Sequence, residues 1–128
     1  WDHLNELRIS KVLGSEKQRV AALYKKAEIY IINRENVTWL VEHFDSDWPF
    51  DMVVIDELSS FKSSKAQRFK SLKKVRPFIK RLVGLTGTPA PNGLIDLWPQ
   101  IYLLDGGERL GKTVTGYRCG RCNLWKTF

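Results

Sequence analysis

Cysteine and long apolar runs are scarce in this sequence, and each shortage excludes a class of protein. Two cysteines among 128 residues cannot form the framework of a disulfide-rich secreted domain, so we expect a reducing, cytoplasmic setting. No apolar run approaches the ~18 residues of a membrane-spanning helix. The opening residues show no basic segment followed by an apolar one, as a secretion signal would. We therefore expect no membrane partner.

Acidic residues are also in deficit. The chain has 21 Lys and Arg residues against 14 Asp and Glu residues, which gives a net charge of +7 at pH 7. A positive balance favours a polyanionic partner but does not specify a fold. The length and the 43% hydrophobic content are sufficient for one domain with one core.

Short β-branched or apolar runs alternate with segments of helical periodicity. They predict four strands, at residues 7–14, 28–32, 52–55 and 81–85. The third run, "MVVI", is continuously apolar, which is typical of a parallel strand that is buried on both faces. The alternation predicts an α/β fold in three layers, with helices on both sides of a mainly parallel sheet and right-handed crossovers.

Helix signals lie between these runs. Ser15 and Gln18 form a capping-box pattern at the start of a first helix. Asn36 is expected to cap a second helix. A basic helix is predicted at residues 64–75, and a last helix is expected to be kinked at Pro99.

Two carboxylates, Asp56 and Glu57, directly follow the third strand. In open α/β sheets ligands bind at the carboxyl ends of strands. One carboxylate at such a place can hold Mg²⁺ through water, and its neighbour can orient or deprotonate an attacking water. The alternative is a solvated strand end, where acids are common.

A second polar strand end follows the fourth strand, at Thr86, Gly87 and Thr88. Hydroxyls and a flexible glycine at this place can transmit the state of a bound phosphate. The alternative is a tight turn capped by threonines.

Together these motifs resemble a known family, the Snf-type branch of the superfamily-two helicases, as found in phage and bacterial DNA translocases. The segments that carry the resemblance are "VVIDELSSFKS" (53–63), "LTGTPAPNGLIDLW" (85–98) and "IINREN" (31–36). Their order and spacing match the family up to about Thr115. The resemblance implies that residues 1–115 are part of the first RecA-like ATP-binding lobe of such an enzyme. Residues 116–128 are left as a tail of uncertain structure.

The resemblance also implies roles for individual residues. Asp56 is expected to hold the magnesium ion and Glu57 to activate water. Thr86, Gly87 and Thr88 are expected to couple ATP hydrolysis to nucleic-acid binding. ATP and Mg²⁺ are thus the cofactors expected in the intact parent protein, in a prokaryotic or phage-infected cell.

A basic stretch follows the acidic pair. From Lys62 to residue 81 the chain carries nine cations and no acid, so Lys62, Lys65 and Arg68 are candidate phosphate contacts of double-stranded DNA. Such contacts position a strand without reading its sequence. A solvated helix surface is the alternative. Arg34 and Asn36 are nucleic-acid candidates by the resemblance alone.

A glycine-lysine pattern, "GGERLGKT", occupies residues 106–113 and matches the phosphate loop G-x-x-x-x-G-K-[ST]. A working loop follows a buried strand and opens a helix. Here a helical pattern precedes it, while Gly116, Gly120 and β-branched residues make a helix after it unlikely. In the family the loop precedes the acidic pair. We therefore interpret the pattern as an accidental match and expect the true loop upstream of Trp1.

If so, this chain alone neither binds ATP tightly nor hydrolyses it, because the phosphate loop and the arginine finger of a second RecA-like lobe are supplied by other parts of the enzyme. Those parts are expected partners. Self-association through an exposed sheet edge is also expected. Two other functions remain open, a non-catalytic basic nucleic-acid-binding module and a small nucleotide-binding protein that uses "GGERLGKT".

The last motif is "CGRC", with Cys119 and Cys122. A structural zinc site needs four ligands, and no histidine lies nearby in the sequence. Two free thiols are favoured over a zinc half-site completed elsewhere.

Overall fold

The structure, a computed structural model, describes residues 6–124 and the side chains of residues 6–119. It contains parallel strands and helices, so the predicted α/β class is confirmed. The elements are β1 (Ile9–Val12), α1 (Glu16–Leu23), β2 (Ile29–Ile32), α2 (Val37–Phe44), β3 (Met52–Asp56), α3 (Gln67–Val75), β4 (Arg81–Leu85), α4 (Leu97–Asp105) and α5 (Val114–Leu124). Short 3₁₀ turns occupy Arg34–Asn36, Leu58–Phe61, Arg76–Phe78 and Leu94–Asp96. No helix in this part of the chain is both long and apolar enough to span a bilayer.

The chain divides into two compact units, Trp1–Val37 and Thr38–Phe128. In the first unit β1 and β2 pair in parallel, from Ile9 opposite Ile29 to Val12 opposite Ile32. Alternate residues of β1 are buried and exposed, so that one face of the strand lies under α1. Two-residue periodicity of this kind places Ser10 inward, where its hydroxyl donates to the carbonyl of Ala22, 2.7 Å away.

The capping-box prediction is confirmed, because Ser15 and Gln18 exchange side-chain and backbone hydrogen bonds at the start of α1. The prediction for Asn36 was wrong. Asn36 lies inside a 3₁₀ turn whose N-cap position is Asn33, and its side-chain oxygen accepts instead from Arg19 Nη1, 3.1 Å away. The Asn36 side-chain oxygen, which was expected to cap the helix, is therefore bound by a residue distant in the sequence.

An ion pair joins the starts of the two paired strands in the first unit. Arg8 Nη2 lies 2.5 Å from Glu28 Oε1, and the backbone N–H of Arg8 donates to Glu28 Oε2 at 2.7 Å. The side-chain and backbone hydrogen bonds from Arg8 lower the pKa of Glu28 to about 2. Because the native pKa lies below the ordinary value, the ionised carboxylate stabilises the fold above pH 4.5, and this contribution is lost as the pH falls towards 2.

We expect Glu28→Gln to remove this part of the acid sensitivity. The melting temperature of the variant, followed by circular dichroism from pH 6 to pH 2, should fall less steeply than that of the wild type between pH 4.5 and 2. Glu35→Gln is the control, since it removes another exposed acid of the same unit. Parallel curves for the wild type and Glu28→Gln would contradict the prediction.

The second unit contains β3 and β4, which also pair in parallel. Helices α3 and α4 pack together through a cluster of Phe69, Trp98 and Tyr102, with ring centroids 5.0–6.0 Å apart. The fully buried side chains of Phe61 and Leu103 belong to the same core. Burial of aromatic groups on this scale dominates the energetics of a small core.

The expectation that β3 is buried on both faces was wrong. Met52 and Val54 are 52% and 55% exposed, while Ile55 is buried. Within residues 6–119 only one face of this strand lies against other elements, so two-residue alternation leaves the other apolar face open. An apolar run alone does not report whether both faces are covered.

Pro99 does not interrupt its helix. α4 begins at Leu97, so Pro99 lies in the first turn, where a missing N–H leaves no intrahelical hydrogen bond unmade. Arg76 stabilises the other end of α4. Its guanidinium donates to the carbonyls of Leu103 at 2.5 Å and Leu104 at 2.6 Å, which have no partner further along the helix.

The prediction that no helix follows the glycine-lysine pattern was also wrong, because α5 begins at Val114. Thr113 caps it, accepting from the backbone N–H of Gly116 on its side-chain oxygen at 3.1 Å. Tyr117 then donates its hydroxyl to the carbonyl of Leu94, 3.1 Å away. Capping and a tertiary contact outweigh the low helix propensity of glycine and β-branched residues. The last four residues of the predicted tail lie outside the described residues.

Candidate active site

The two polar strand ends lie side by side. In the parallel register Asp56 is opposite Leu85, so that Glu57 and Thr86 are the next residues along each strand. Adjacent parallel strands end at the same edge of a sheet, where open α/β folds bind ligands. The structure therefore brings the predicted acidic pair and the predicted Thr-Gly-Thr turn together.

Hydrogen bonds connect the two motifs directly. Thr86 donates its hydroxyl to Glu57 Oε1 over 3.1 Å, and the backbone N–H of Thr88 donates to Thr86 Oγ1 over 3.3 Å. Ser59 donates its hydroxyl to the same oxygen of Glu57. Sequence analysis gave Ser59 no role, although its position two residues after the glutamate is a spacing at which hydroxyls bond to local acceptors.

Glu57 has an unusual backbone conformation. Its φ and ψ are 60° and 65°, in the left-handed region that few residues other than glycine enter. Holding such a residue there costs on the order of 1–3 kcal/mol, and surrounding structure must impose it. Here the following 3₁₀ turn does so, because Leu58 and Phe61 are buried and the N–H of Ser60 donates to the carbonyl of Glu57 at 3.1 Å.

Gly84 makes room for this turn. A methyl carbon added at Gly84 would lie 3.0 Å from Leu58 Cγ and closer still to Leu58 Cδ2. Gly84 thus allows Leu58 to pack against β4, and Leu58 is the residue that follows Glu57. By contrast, nothing lies within 4 Å of a methyl carbon added at Gly87. The position of the glutamate therefore depends on a glycine that sequence analysis did not single out.

Asp56 provides one exposed carboxylate beside this network. No hydrogen bond or ion pair of the Asp56 carboxylate is found among the described side chains. In residues 6–119 there is also no group of three His, Cys, Asp or Glu side chains able to hold a metal ion. A single accessible carboxylate suits Mg²⁺, which retains much of its water and takes further ligands from nucleotide phosphates. It does not suit a metal that needs an all-protein cage.

The predicted nucleic-acid residues fall into both units. Arg34 is exposed and Asn36 is half-buried in the first unit. Lys62 and Arg68 are half-buried and Lys65 is exposed in the second. Sequence analysis missed that Arg19 orients the Asn36 amide, leaving the amide nitrogen to donate elsewhere.

The glycine-lysine pattern is not built as a phosphate loop. It follows helix α4, with Gly106 as the left-handed C-cap, so the prediction that no strand precedes it is confirmed. Three of its N–H groups already donate to a carboxylate. Asp105 accepts from Gly107 at 2.8 Å, Glu108 at 3.2 Å and Arg109 at 3.0 Å.

The electrostatics of Asp105 agree with this arrangement. Burial alone would raise the pKa of its carboxyl, but the three backbone N–H groups favour the charged form and hold the pKa below its ordinary value. A phosphate would have to displace this carboxylate to reach the same donors.

We expect Asp105→Ala to lower the free energy of unfolding by about 1 kcal/mol, the usual cost of losing a side-chain cap on backbone N–H groups. Urea denaturation followed by tryptophan fluorescence measures it. Glu108→Ala is the matched control, because it removes an exposed acid three residues away whose side chain is not an acceptor for the loop. Equal stability of the two variants would contradict this account of the loop.

Comparison with known proteins identifies the family. A family model described as the SNF2-related domain matches residues 1–108. The chain belongs to the SNF2-related domain family. The resemblance found in the motifs is therefore confirmed, and so is its assignment to the helicase and translocase group of proteins.

Two proteins from other organisms are similar to most of the chain. The "putative protein p41" of Acyrthosiphon pisum secondary endosymbiont phage 1 is 41% identical over 123 residues, covering 91% of this chain and 27% of the phage protein. The TATA-binding protein-associated factor mot1 of Schizosaccharomyces pombe is 32% identical over 98 residues, covering 72% of this chain and 5% of that protein. This SNF2-related chain thus spans about a quarter of the phage relative and less of the yeast one.

A solved structure is also similar. The Sulfolobus solfataricus SWI2/SNF2 ATPase core in complex with dsDNA matches with a TM-score of 0.69 and 22% identity, over 90% of this chain and 23% of that one. The likeness confirms a partial RecA-like α/β fold. The boundary at residue 115 stays a prediction, and so do the roles of the individual residues.

Cys119 is exposed and forms no disulfide. The side chain of Cys122 lies outside the described residues, so the preference for free thiols stays a prediction.

Proposed function

We propose that this chain is part of the first RecA-like lobe of a Snf-type ATPase that uses ATP and Mg²⁺ to move along double-stranded DNA. The observation that carries the proposal is the hydrogen bond between Thr86 and Glu57, which links two motifs at neighbouring strand ends in a member of the SNF2-related family. The solved structure of similar fold is an ATPase core in complex with dsDNA, which supports the choice of substrate.

Each residue of the site then has a role. Asp56 would bind the hydrated magnesium ion, which neutralises developing charge on the phosphates. Glu57 would orient and deprotonate the attacking water, and Ser59 would keep its carboxylate in place. Thr86 shares the Glu57 oxygen and receives the N–H of Thr88. A movement of the Glu57 carboxylate would therefore be transmitted through these hydrogen bonds to the Thr86–Thr88 turn.

DNA contact would come from cations and not from base readout. The net charge of +7 favours duplex phosphates. The sequence names Lys62, Lys65 and Arg68 in the second unit, of which only Lys65 is exposed, and Arg34 and Asn36 in the first. Contacts of this type give affinity without sequence preference, as a protein that moves along DNA requires.

We further propose that the chain is inactive by itself. The only glycine-lysine loop in its sequence follows a helix and has three of its N–H donors occupied by Asp105. A phosphate loop upstream of Trp1 and a second lobe with an arginine finger would complete the enzyme, and the finger alone is worth about 10³–10⁵ in rate. Self-association is expected when those parts are absent, through the edges of β3 and β4 that have no partner strand within residues 6–124. We place the complete protein in the cytoplasm of a prokaryotic or phage-infected cell.

The proposal is tested by phosphate release with and without a duplex. The full-length protein should hydrolyse ATP, more rapidly when double-stranded DNA is present. The 128-residue chain should show no hydrolysis and should not bind a fluorescent ATP analogue with micromolar affinity, with or without Mg²⁺. Micromolar binding by the chain would overturn the proposed incompleteness. DNA binding without any hydrolysis by the full-length protein would instead favour the non-catalytic basic module.

A further inference from the structure

The cations between Lys62 and Arg81 are not equivalent, because three of them already contact other residues of the second unit. The Lys73 ammonium lies 4.6 Å from the centroid of the Tyr102 ring. Arg76 is bound to the carbonyls at the end of α4. Lys80 forms an exposed ion pair with Asp51, 2.6 Å apart. These three serve the fold, which leaves fewer cations for a partner than the sequence suggests.

The remaining cations of helix α3 lie on different faces of the helix. Its buried side chains are Phe69, Ser71, Leu72 and Val75. At 100° per residue these four span one side of the helix, and Lys70 and Lys74 lie together on the opposite side, where both are exposed. Arg68, in the first turn of the helix, projects onto the same side as the buried residues and is half-buried. Sequence analysis counted the two outward lysines in the basic stretch but selected only Arg68 from this helix.

Lys70 and Lys74 are separated by four residues, so their side chains are neighbours along one ridge of α3. Like charges at this spacing repel each other. No acid relieves them locally, because residues 58–95 contain no Asp or Glu. In the part of the chain that carries described side chains, neither lysine has an ion pair.

Contacts with α4 hold this part of α3 in place. Phe69, the residue before Lys70, is buried and packs against Trp98 and Tyr102 with ring centroids 6.0 Å away. The Lys73 ammonium is held at Tyr102. Two unneutralised cations on a helix anchored to the core can meet the phosphates of a duplex with little loss of backbone freedom.

We infer that the Lys70–Lys74 ridge of α3 binds the phosphate backbone of double-stranded DNA. The inference rests on the proposed function for its partner, and it assigns the contact to residues that neither the motifs nor the family match single out. A polyanion relieves the repulsion between the two lysines and releases the counterions that they otherwise hold. Arg68 contributes little to this contact.

The experiment measures the salt dependence of duplex binding by the full chain, using fluorescence anisotropy of a labelled DNA duplex at 50–200 mM salt. Each phosphate contact contributes about −0.9 to the slope of log K against log salt concentration. Lys70→Ala/Lys74→Ala should therefore make the slope less negative by about 2. Arg68→Ala should change the slope by less than half of the contribution of one phosphate contact.

The matched control is Lys17→Ala/Lys26→Ala, which removes the same total charge from exposed positions of the first unit. Its slope should stay within experimental error of the wild type. Equal slope changes in the two double variants would overturn the inference, because only net charge would then matter. Duplex binding with an unchanged slope in Lys70→Ala/Lys74→Ala would overturn the inference alone. Absence of duplex binding by the wild type would overturn both it and the proposed DNA partner.

Discussion

Replacing Glu57 with glutamine is expected to lower the rate of ATP hydrolysis by the full-length protein about 10²–10⁴-fold, the usual contribution of a general base. Glutamine has the same shape, and its side-chain oxygen still accepts from Thr86 and Ser59. It cannot take a proton from water at neutral pH. Because the hydrogen-bond network survives, nucleotide binding, duplex binding and the melting temperature should remain close to those of the wild type.

Steady-state phosphate release, with nucleotide and duplex affinities measured separately, distinguishes these effects. Lys112→Ala is the control, since Lys112 is exposed and belongs to a loop that we do not assign to ATP. It should leave the hydrolysis rate unchanged. A rate within twofold of the wild type for Glu57→Gln, or a large loss for Lys112→Ala, would refute the assignment of the catalytic base.

Replacing Gly84 with alanine should destabilise the second unit although the change adds only one methyl group. The new carbon would crowd Leu58 at Cβ, Cγ and Cδ2, so the whole leucine side chain must move and not only its tip. Overpacking of this kind costs about 1–3 kcal/mol. The ~0.5–1 kcal/mol that alanine gains over glycine within a strand does not offset it fully. We therefore expect a net loss of about 1–2 kcal/mol in the free energy of unfolding.

The neighbouring Gly87→Ala is the matched control, because a methyl group there meets no atom within 4 Å and the backbone does not need a glycine. Chemical denaturation should show Gly87→Ala near the wild type and Gly84→Ala clearly below it. In the full-length protein Gly84→Ala should also lower ATP hydrolysis, since Leu58 anchors the turn that holds Glu57. A Gly84→Ala protein as stable as Gly87→Ala would show that Leu58 relaxes freely.

Much of the site was predictable because its signals are local. The apolar run before Asp56 and Glu57, and the turn residues after the fourth strand, are continuous in the sequence. Two strands of one sheet that are joined by a helical crossover run parallel. Because α3 lies between β3 and β4 in the sequence, their parallel pairing was also predictable. The capping box at Ser15 was predictable for the same reason, since its donors and acceptors lie within four residues.

The sequence by itself determined the α/β class, the places of the strands, and the meeting of two polar strand ends at one edge of a sheet. Only the tertiary structure decided that Glu57 adopts a left-handed backbone held by Leu58 over Gly84. It also decided that Lys73 is held at Tyr102, so that the free lysines of α3 are Lys70 and Lys74. Local patterns depend on backbone periodicity and on groups a few residues apart. These other features depend on which side chains distant in the sequence compete for the same space, donor or charge.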